Sequence, residues 1–144
     1  MHMAFYVDSC IYINLWQKEV AVSGKKFWQI SENFFKMCDF NNQIIFYSGF
    51  VLKELQWVAP GAFAEEEAVF ADSRFKKVIA LVEDYEAARK LEALSNFSIS
   101  FFDCMHVVLA GRMNAILVTR DNDLISFAGN RCKAMKPEDC FKEN

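Results

Sequence analysis

Glycine and proline are scarce in this 144-residue chain, at five and two residues. That scarcity excludes collagen-like repeats and leaves little room for flexible linkers or low-complexity tails. Long hydrophobic runs are also missing: stretches such as Ile44–Phe46 and Val107–Ala110 fall far short of the ~20 residues that a bilayer-spanning helix needs. Met1–Tyr6 has neither the basic start nor the extended apolar stretch of a secretory signal, so a soluble cytoplasmic protein with no membrane association is expected. Positive charge is not in excess. Sixteen Lys and Arg face 19 Asp and Glu, a net charge of −3, which rules out holding a polyanion through a global basic field. The cysteines (Cys10, Cys38, Cys104, Cys132 and Cys140) are odd in number and form no Cys-x-x-Cys pair, a pattern of reduced thiols and not of a disulfide frame or a structural zinc site.

What remains is a chain 53% hydrophobic and 24% charged, of a length that suits one domain with its own core. Met3–Val7 is a short apolar strand that stops at Asp8, and the helical segment Ile11–Gln17 follows. Lys25–Asp39 places Phe27, Ile30, Phe34 and Met37 at helical spacing, with Trp28 and Phe35 widening the aromatic face so that one of them is left for a partner. Gln43–Tyr47 reads as a buried strand and Phe50–Val58 as the helix after it, broken at Pro60-Gly61. Ala62–Phe75 and Asp84–Leu94 have helical composition, and the intervening Lys76–Val82 is expected to be helix or loop. A strongly apolar helix over Ser100–Arg112 leads to a continuous apolar strand, Ala115–Thr119, then a short helix ending at Gly129 and an edge strand at Lys133–Met135. Strands alternating with helices imply a single α/β domain, with a central, mostly parallel sheet of about four to five strands flanked by helices. In such sheets ligands bind at the carboxyl ends of the strands, where the winding direction reverses.

Acids gather at that edge. Asp8 and Asp121 each follow a strand closely, Asp103 falls in the first turn of the Ser100–Arg112 helix, and Glu54 lies one turn into the helix after Gln43–Tyr47. Crowded carboxylates oppose folding unless a cation neutralises them, so convergence of these four points to an oxygen-ligated Mg²⁺ or Mn²⁺. A divalent ion there lowers the pKa of a bound water and holds a scissile phosphate, which is the chemistry of phosphodiester hydrolysis. Each acid also has a plainer reading. Asp8 and Asp121, or Asp123, would serve as helix caps, Glu54 as a solvated helix residue, and Asp103 as a counter to the helix dipole. Asp103 fits its plain reading least, because Ile99, Phe101, Phe102, Cys104, Met105 and Val107 surround it in sequence and make an unpartnered charge expensive.

Four short motifs in this order resemble those of PIN-domain ribonucleases, and in particular the single-domain VapC-like toxins of toxin–antitoxin pairs. The opening strand and first acid look like Phe5-Tyr6-Val7-Asp8-Ser9, and the Ser-then-Glu motif like Ser48 to Glu54. The central helix resembles Phe102-Asp103-Cys104-Met105-His106-Val107-Val108-Leu109-Ala110, and the last signature is Thr119-Arg120-Asp121-Asn122-Asp123. The resemblance implies a Mg²⁺- or Mn²⁺-dependent endoribonuclease. Asp8, Glu54, Asp103 and Asp121 would be the catalytic and metal-binding acids, Asp123 a fifth, and Ser9 and Thr119 hydroxyls that orient a carboxylate or the metal's water. It also implies an RNA substrate, an antitoxin partner and a homodimer. Cys10 stands where the family often has Asn after its hydroxyl residue, which removes an amide from the neighbourhood of the first acid.

Two further residues are candidates for substrate contact. Arg120 adjoins Asp121 and offers a bidentate fork to a phosphate, and His106, three residues after Asp103, would touch substrate or hydrogen-bond the carboxylate. Their plainer readings are a solvated surface arginine and a structural core histidine. Two other functions fit parts of the pattern. A non-catalytic PIN-fold interaction module would use the acids for a structural ion only. A phosphatase-like α/β domain would use Asp8 as nucleophile, but that chemistry usually places a second Asp two residues on, where this chain has Cys10.

Overall fold

The computed structural model describes residues 3–142. Strand β1 (Ala4–Val7) leads through Asp8 into helix α1 (Ser9–Trp16); helix α2 (Phe27–Phe40) then precedes β2 (Ile44–Tyr47). Helices α3 (Gly49–Val58) and α4 (Pro60–Glu66) and a 3₁₀ turn (Glu67–Ala71) come before β3 (Phe75–Lys77). The second half runs α5 (Val82–Leu94), α6 (Phe101–Arg112), β4 (Ile116–Val118), α7 (Asn122–Ala128) and β5 (Ala134–Met135), with a final 3₁₀ turn at Pro137–Asp139. The five strands form one parallel sheet in the order β3-β2-β1-β4-β5. This is the single α/β domain that the alternation of apolar runs implies.

The winding starts at β1, moves outward through β2 to β3, then returns to β4 on the other side, so the reversal lies between β1 and β4. Both of these strands are covered on two faces: Phe5, Tyr6, Val7, Leu117 and Val118 have no exposed surface. That explains their unbroken apolar sequence. Helices end where asparagine takes the left-handed backbone conformation that most side chains avoid. Asn42 (φ 53°) follows α2, Asn96 (φ 56°) follows α5 and Asn114 (φ 52°) follows α6.

One expectation needs correction. Lys76–Val82 is neither helix nor loop throughout: Phe75–Lys77 is an edge strand in register with Ile45–Tyr47, and α5 starts at Val82. Three residues ending in two lysines carry too little alternation to be read as a strand, although lysines suit a sheet edge. The wide aromatic face of α2 is divided, with Phe34 buried in the core and Phe35 and Trp28 only half-buried. Phe34 packs against Phe5 and Phe141, Phe35 packs against Tyr12 at 5.3 Å, and Trp28 lies beneath the ammonium of Lys18. The strongly exposed aromatic of that helix is instead Phe40, at 82%. All five cysteines are free thiols, and no helix among the described residues is long and apolar enough to cross a membrane.

Candidate metal centre

Asp8 stands at the N-cap position of α1, with extended backbone, but its side chain caps nothing. Its carboxylate is turned into the sheet edge. Thr119, just past β4, donates from Oγ1 to Asp8 Oδ2 at 2.8 Å, and the Ser9 hydroxyl and Cys10 thiol approach Oδ1 and Oδ2 at 3.4 Å each. Burial, with the adjacent Asp8 charge next in weight, holds the Cys10 thiol well above its ordinary pKa, so it stays a protonated, weak donor. In place of an amide beside the first acid, this chain therefore has an S–H.

Asp103 is fixed from the backbone. Ser100 caps α6 by accepting the Asp103 N–H at 3.1 Å, which sets the first turn and the direction of the Asp103 side chain. Glu54 sits in the second turn of α3, behind Ser48 at that helix's N-cap. Carboxylate oxygens of Asp8, Glu54 and Asp103 and a ring nitrogen of His106 all lie within 4.8 Å of one another. Partial burial raises the Asp103 carboxyl to about 6; the Asp8 charge adds to the rise, the nearby His106 opposes it, and Glu54 and Asp121 add smaller contributions. Hard oxygen donors at this spacing, one of them reluctant to ionise alone, fit a hard divalent cation such as Mg²⁺ or Mn²⁺.

Asp121 and Asp123 lie outside this group of four. Asp121 caps α7, its Oδ1 accepting the N–H groups of Asp123 (3.0 Å) and Leu124 (3.2 Å), and its own N–H donates to Thr119 Oγ1. The plain capping reading therefore describes Oδ1. The charge is still near enough to bear on Asp103, and Oδ2 makes no hydrogen bond among the described residues.

His106 is completely buried and makes contacts that sequence spacing does not disclose. Its Nε2 lies 2.7 Å from Glu54 Oε1 and its Nδ1 lies 2.8 Å from the Tyr6 hydroxyl, which in turn lies 2.7 Å from Ser48 Oγ. Burial alone would lower the His106 pKa, but the Glu54 hydrogen bond and the charges of Asp8, Glu54 and Asp103 outweigh it and raise the value. Tyr6, whose pKa burial pushes well above its usual range, remains a phenol. Its carboxylate partner is the glutamate 52 positions away and not Asp103, a pairing that spacing along α6 does not disclose.

Arg120 is committed elsewhere. Its Nε donates to Asn14 Oδ1 and its Nη1 to Glu138 Oε2, both at 3.1 Å, while the guanidinium stacks 4.0 Å over Phe27. Arg112 is bound to the buried Asp84 at the far end of α6.

Among curated proteins, no sequence matches. Solved structures do. The chain is similar to one in the crystal structure of VapBC2 from Rickettsia felis bound to a DNA fragment from their promoter, with TM-score 0.69, 17% identity and coverage of 93% of this chain and 98% of that one. It is similar to a chain of DNA-bound VapBC from Salmonella typhimurium (TM-score 0.63, 16% identity, 94% and 98% covered). It is also similar to one of FitAcB from Neisseria gonorrhoeae (TM-score 0.60, 12% identity, 92% and 97% covered). At these identities the likeness is one of fold. The PIN domain model matches residues 5–130, a span that takes in both central strands and every acid of the site, and the chain therefore belongs to the PIN domain family.

Proposed function

We propose that this protein is a Mg²⁺- or Mn²⁺-dependent endoribonuclease and the toxin of a toxin–antitoxin pair. The observation that carries the reading is the convergence of Asp8, Glu54 and Asp103 within 4.8 Å at the switch point of a parallel sheet. Asp8, Glu54 and Asp103 would hold a divalent ion there, which would supply water activation and charge neutralisation for phosphodiester hydrolysis. The chain's residues do the rest. Thr119 and Ser9 orient the Asp8 carboxylate, the Ser100 cap aims Asp103, and His106 holds one oxygen of Glu54. Asp121 extends the site through its uncapped oxygen, and Asp123 stands beside it in the first turn of α7.

The RNA substrate and the antitoxin are part of the same proposal. The similar chains come from VapBC and FitAcB structures. A cleft of about 450 Å³, lined by Tyr12, Trp16, Phe35, Val69 and Phe75 and also by charged residues such as Lys18, Glu66 and Arg74, offers a mixed apolar and charged seat for a partner's amphipathic helix. The homodimer belongs to the same proposal, with the exposed Trp57, Val58 and Val82 as candidate contacts.

The test is cleavage of labelled RNA oligonucleotides by wild type and by Asp103→Asn prepared identically, in Mg²⁺, in Mn²⁺ and in EDTA. Cleavage that needs the ion and vanishes in the variant supports the reading. Equal cleavage by both proteins sinks the site, and no cleavage by either on a broad panel favours the interaction-module alternative.

A further inference from the structure

We infer that His106 is a positioning residue for Glu54 and not a metal ligand. The inference rests on the metal-centre reading above and deepens it. Four side chains form an unbroken hydrogen-bonded string, Ser48–Tyr6–His106–Glu54, with links of 2.7, 2.8 and 2.7 Å. It starts and ends on α3 and passes through β1 and α6 between. The string thus ties the helix that carries Glu54 to the strand before Asp8 and to the helix that carries Asp103.

Ser48 shows that the string is not incidental. A serine at an N-cap ordinarily gives its hydroxyl to the first turn of its own helix. At α3 that cap bond is absent, and Ser48 Oγ goes to Tyr6 instead. Ser48, Tyr6 and His106 are each no more than 1% exposed, so each polar atom would be costly without a partner, and the string supplies one. The neighbours of His106 on α6, Met105 and Val107, are apolar and buried, so an apolar residue would fill position 106 if packing were the whole task.

The protonation of the ring follows from its partners. A carboxylate accepts only, so Nε2 carries a hydrogen toward Glu54 Oε1. In the neutral ring Nδ1 accepts from Tyr6, which accepts from Ser48; in the charged ring Nδ1 donates to Tyr6, which donates to Ser48. While the bond to Glu54 is made, Nε2 has no lone pair to offer a cation, and Nδ1 faces Tyr6. Glu54 is left with Oε2 as its one unengaged oxygen.

The experiment combines calorimetric titration of Mn²⁺ with nitrogen-15 spectra of the imidazole ring, in wild type, His106→Phe, His106→Gln and Tyr6→Phe. The chain has only two histidines, so the His106 ring is readily assigned against His2. His106→Phe, checked by circular dichroism for an intact fold, is expected to weaken Mn²⁺ binding by about 10- to 100-fold, the usual effect of removing a group that orients a ligand. His106→Gln, which restores an N–H toward Glu54, should recover part of that loss. Tyr6→Phe should change the Nδ1 signal in the metal-free protein. In wild type, saturation with Mg²⁺ or Zn²⁺ should leave the Nε2 proton in place. Loss of that proton on metal binding would make His106 a ligand and overturn the inference. Unchanged Mn²⁺ affinity in a folded His106→Phe would overturn the positioning role alone. Absence of Mn²⁺ binding in wild type would overturn the metal centre and this inference with it.

Discussion

Thr119 Oγ1 donates to Asp8 Oδ2 at 2.8 Å and accepts the Asp121 N–H at 3.2 Å, so one hydroxyl joins the acid after β1 to the cap of α7 across the switch point. Thr119→Val keeps the shape and removes both bonds. It is expected to weaken divalent-ion affinity by about tenfold or more, as loss of a ligand's orienting partner commonly does. Thr119→Ser should stay close to wild type. Calorimetric titration of Mn²⁺ into the three proteins checks this, and equal affinities would mean that Asp8 is held without Thr119.

The place of Asp8 was legible in the sequence because local rules carry it, since an apolar run fixes a strand and an acid just past its end falls on the carboxyl edge, whereas Thr119 as an orienting hydroxyl came only from the resemblance to PIN-domain ribonucleases. Asp103 was legible for a similar reason, since its apolar neighbours left an unpartnered charge to explain. What local rules missed depends on partners far along the chain. Arg120 binds Asn14, Arg112 binds Asp84, and His106 binds Glu54 and Tyr6, over separations of 106, 28, 52 and 100 residues. Strand β3 was missed because three residues at an edge show no periodicity, and only pairing with β2 defines it.

Asp103 makes the metal-free protein sensitive to pH. Burial, with the Asp8 charge next, pushes its carboxyl up to about 6 in the folded chain from an ordinary value of 3.8, so the native state binds an extra proton between those values. Stability from this group is greatest below pH 3.8 and falls as pH rises through 6. Asp103→Asn removes the cost. It should stabilise the metal-free protein at pH 7.5 by about 1 to 3 kcal/mol, allowing for the residue's partial exposure, with the difference closing near pH 4. Mg²⁺ should raise the melting temperature of wild type more than that of the variant. Thermal melts across pH with and without Mg²⁺ test both, and a variant less stable than wild type at pH 7.5 would contradict the repulsion argument.

The Asp84–Arg112 pair is a structural counterpart at the other end of α6. Asp84 is 4% exposed, accepts from the Leu81 N–H at 2.8 Å and takes Arg112 at 3.0 Å, while Arg112 Nη2 also donates to Ile79 O. Breaking a buried pair leaves an uncompensated group, so Arg112→Met should cost about 3 to 5 kcal/mol. Urea unfolding measures the cost. Mn²⁺ affinity of the folded fraction should be unchanged, because neither residue belongs to the carboxylate cluster; a large loss of affinity would show that this pair supports the site through α6.

Arg120 separates the substrate reading of a motif residue from a structural one. Burial would raise the Glu138 carboxyl, but hydrogen bonds from Lys25 and Arg120 overcome that and hold it at about 2. The carboxyl is therefore depressed on folding, and its contribution to stability is present above its ordinary value near 4.5 and is lost as pH falls toward 2. Arg120→Ala also uncovers Phe27 and leaves Asn14 Oδ1 without its donor. The variant should be about 2 to 4 kcal/mol less stable at pH 7, with the deficit shrinking toward pH 2 as Glu138 protonates in both proteins. If Arg120 instead serves substrate, the variant would keep its stability and lose RNA affinity. Unfolding free energies at pH 7 and pH 3, with RNA binding measured on the Asp103→Asn background to prevent turnover, distinguish the two, and the packing of Arg120 between Phe27, Asn14 and Glu138 favours the stability defect.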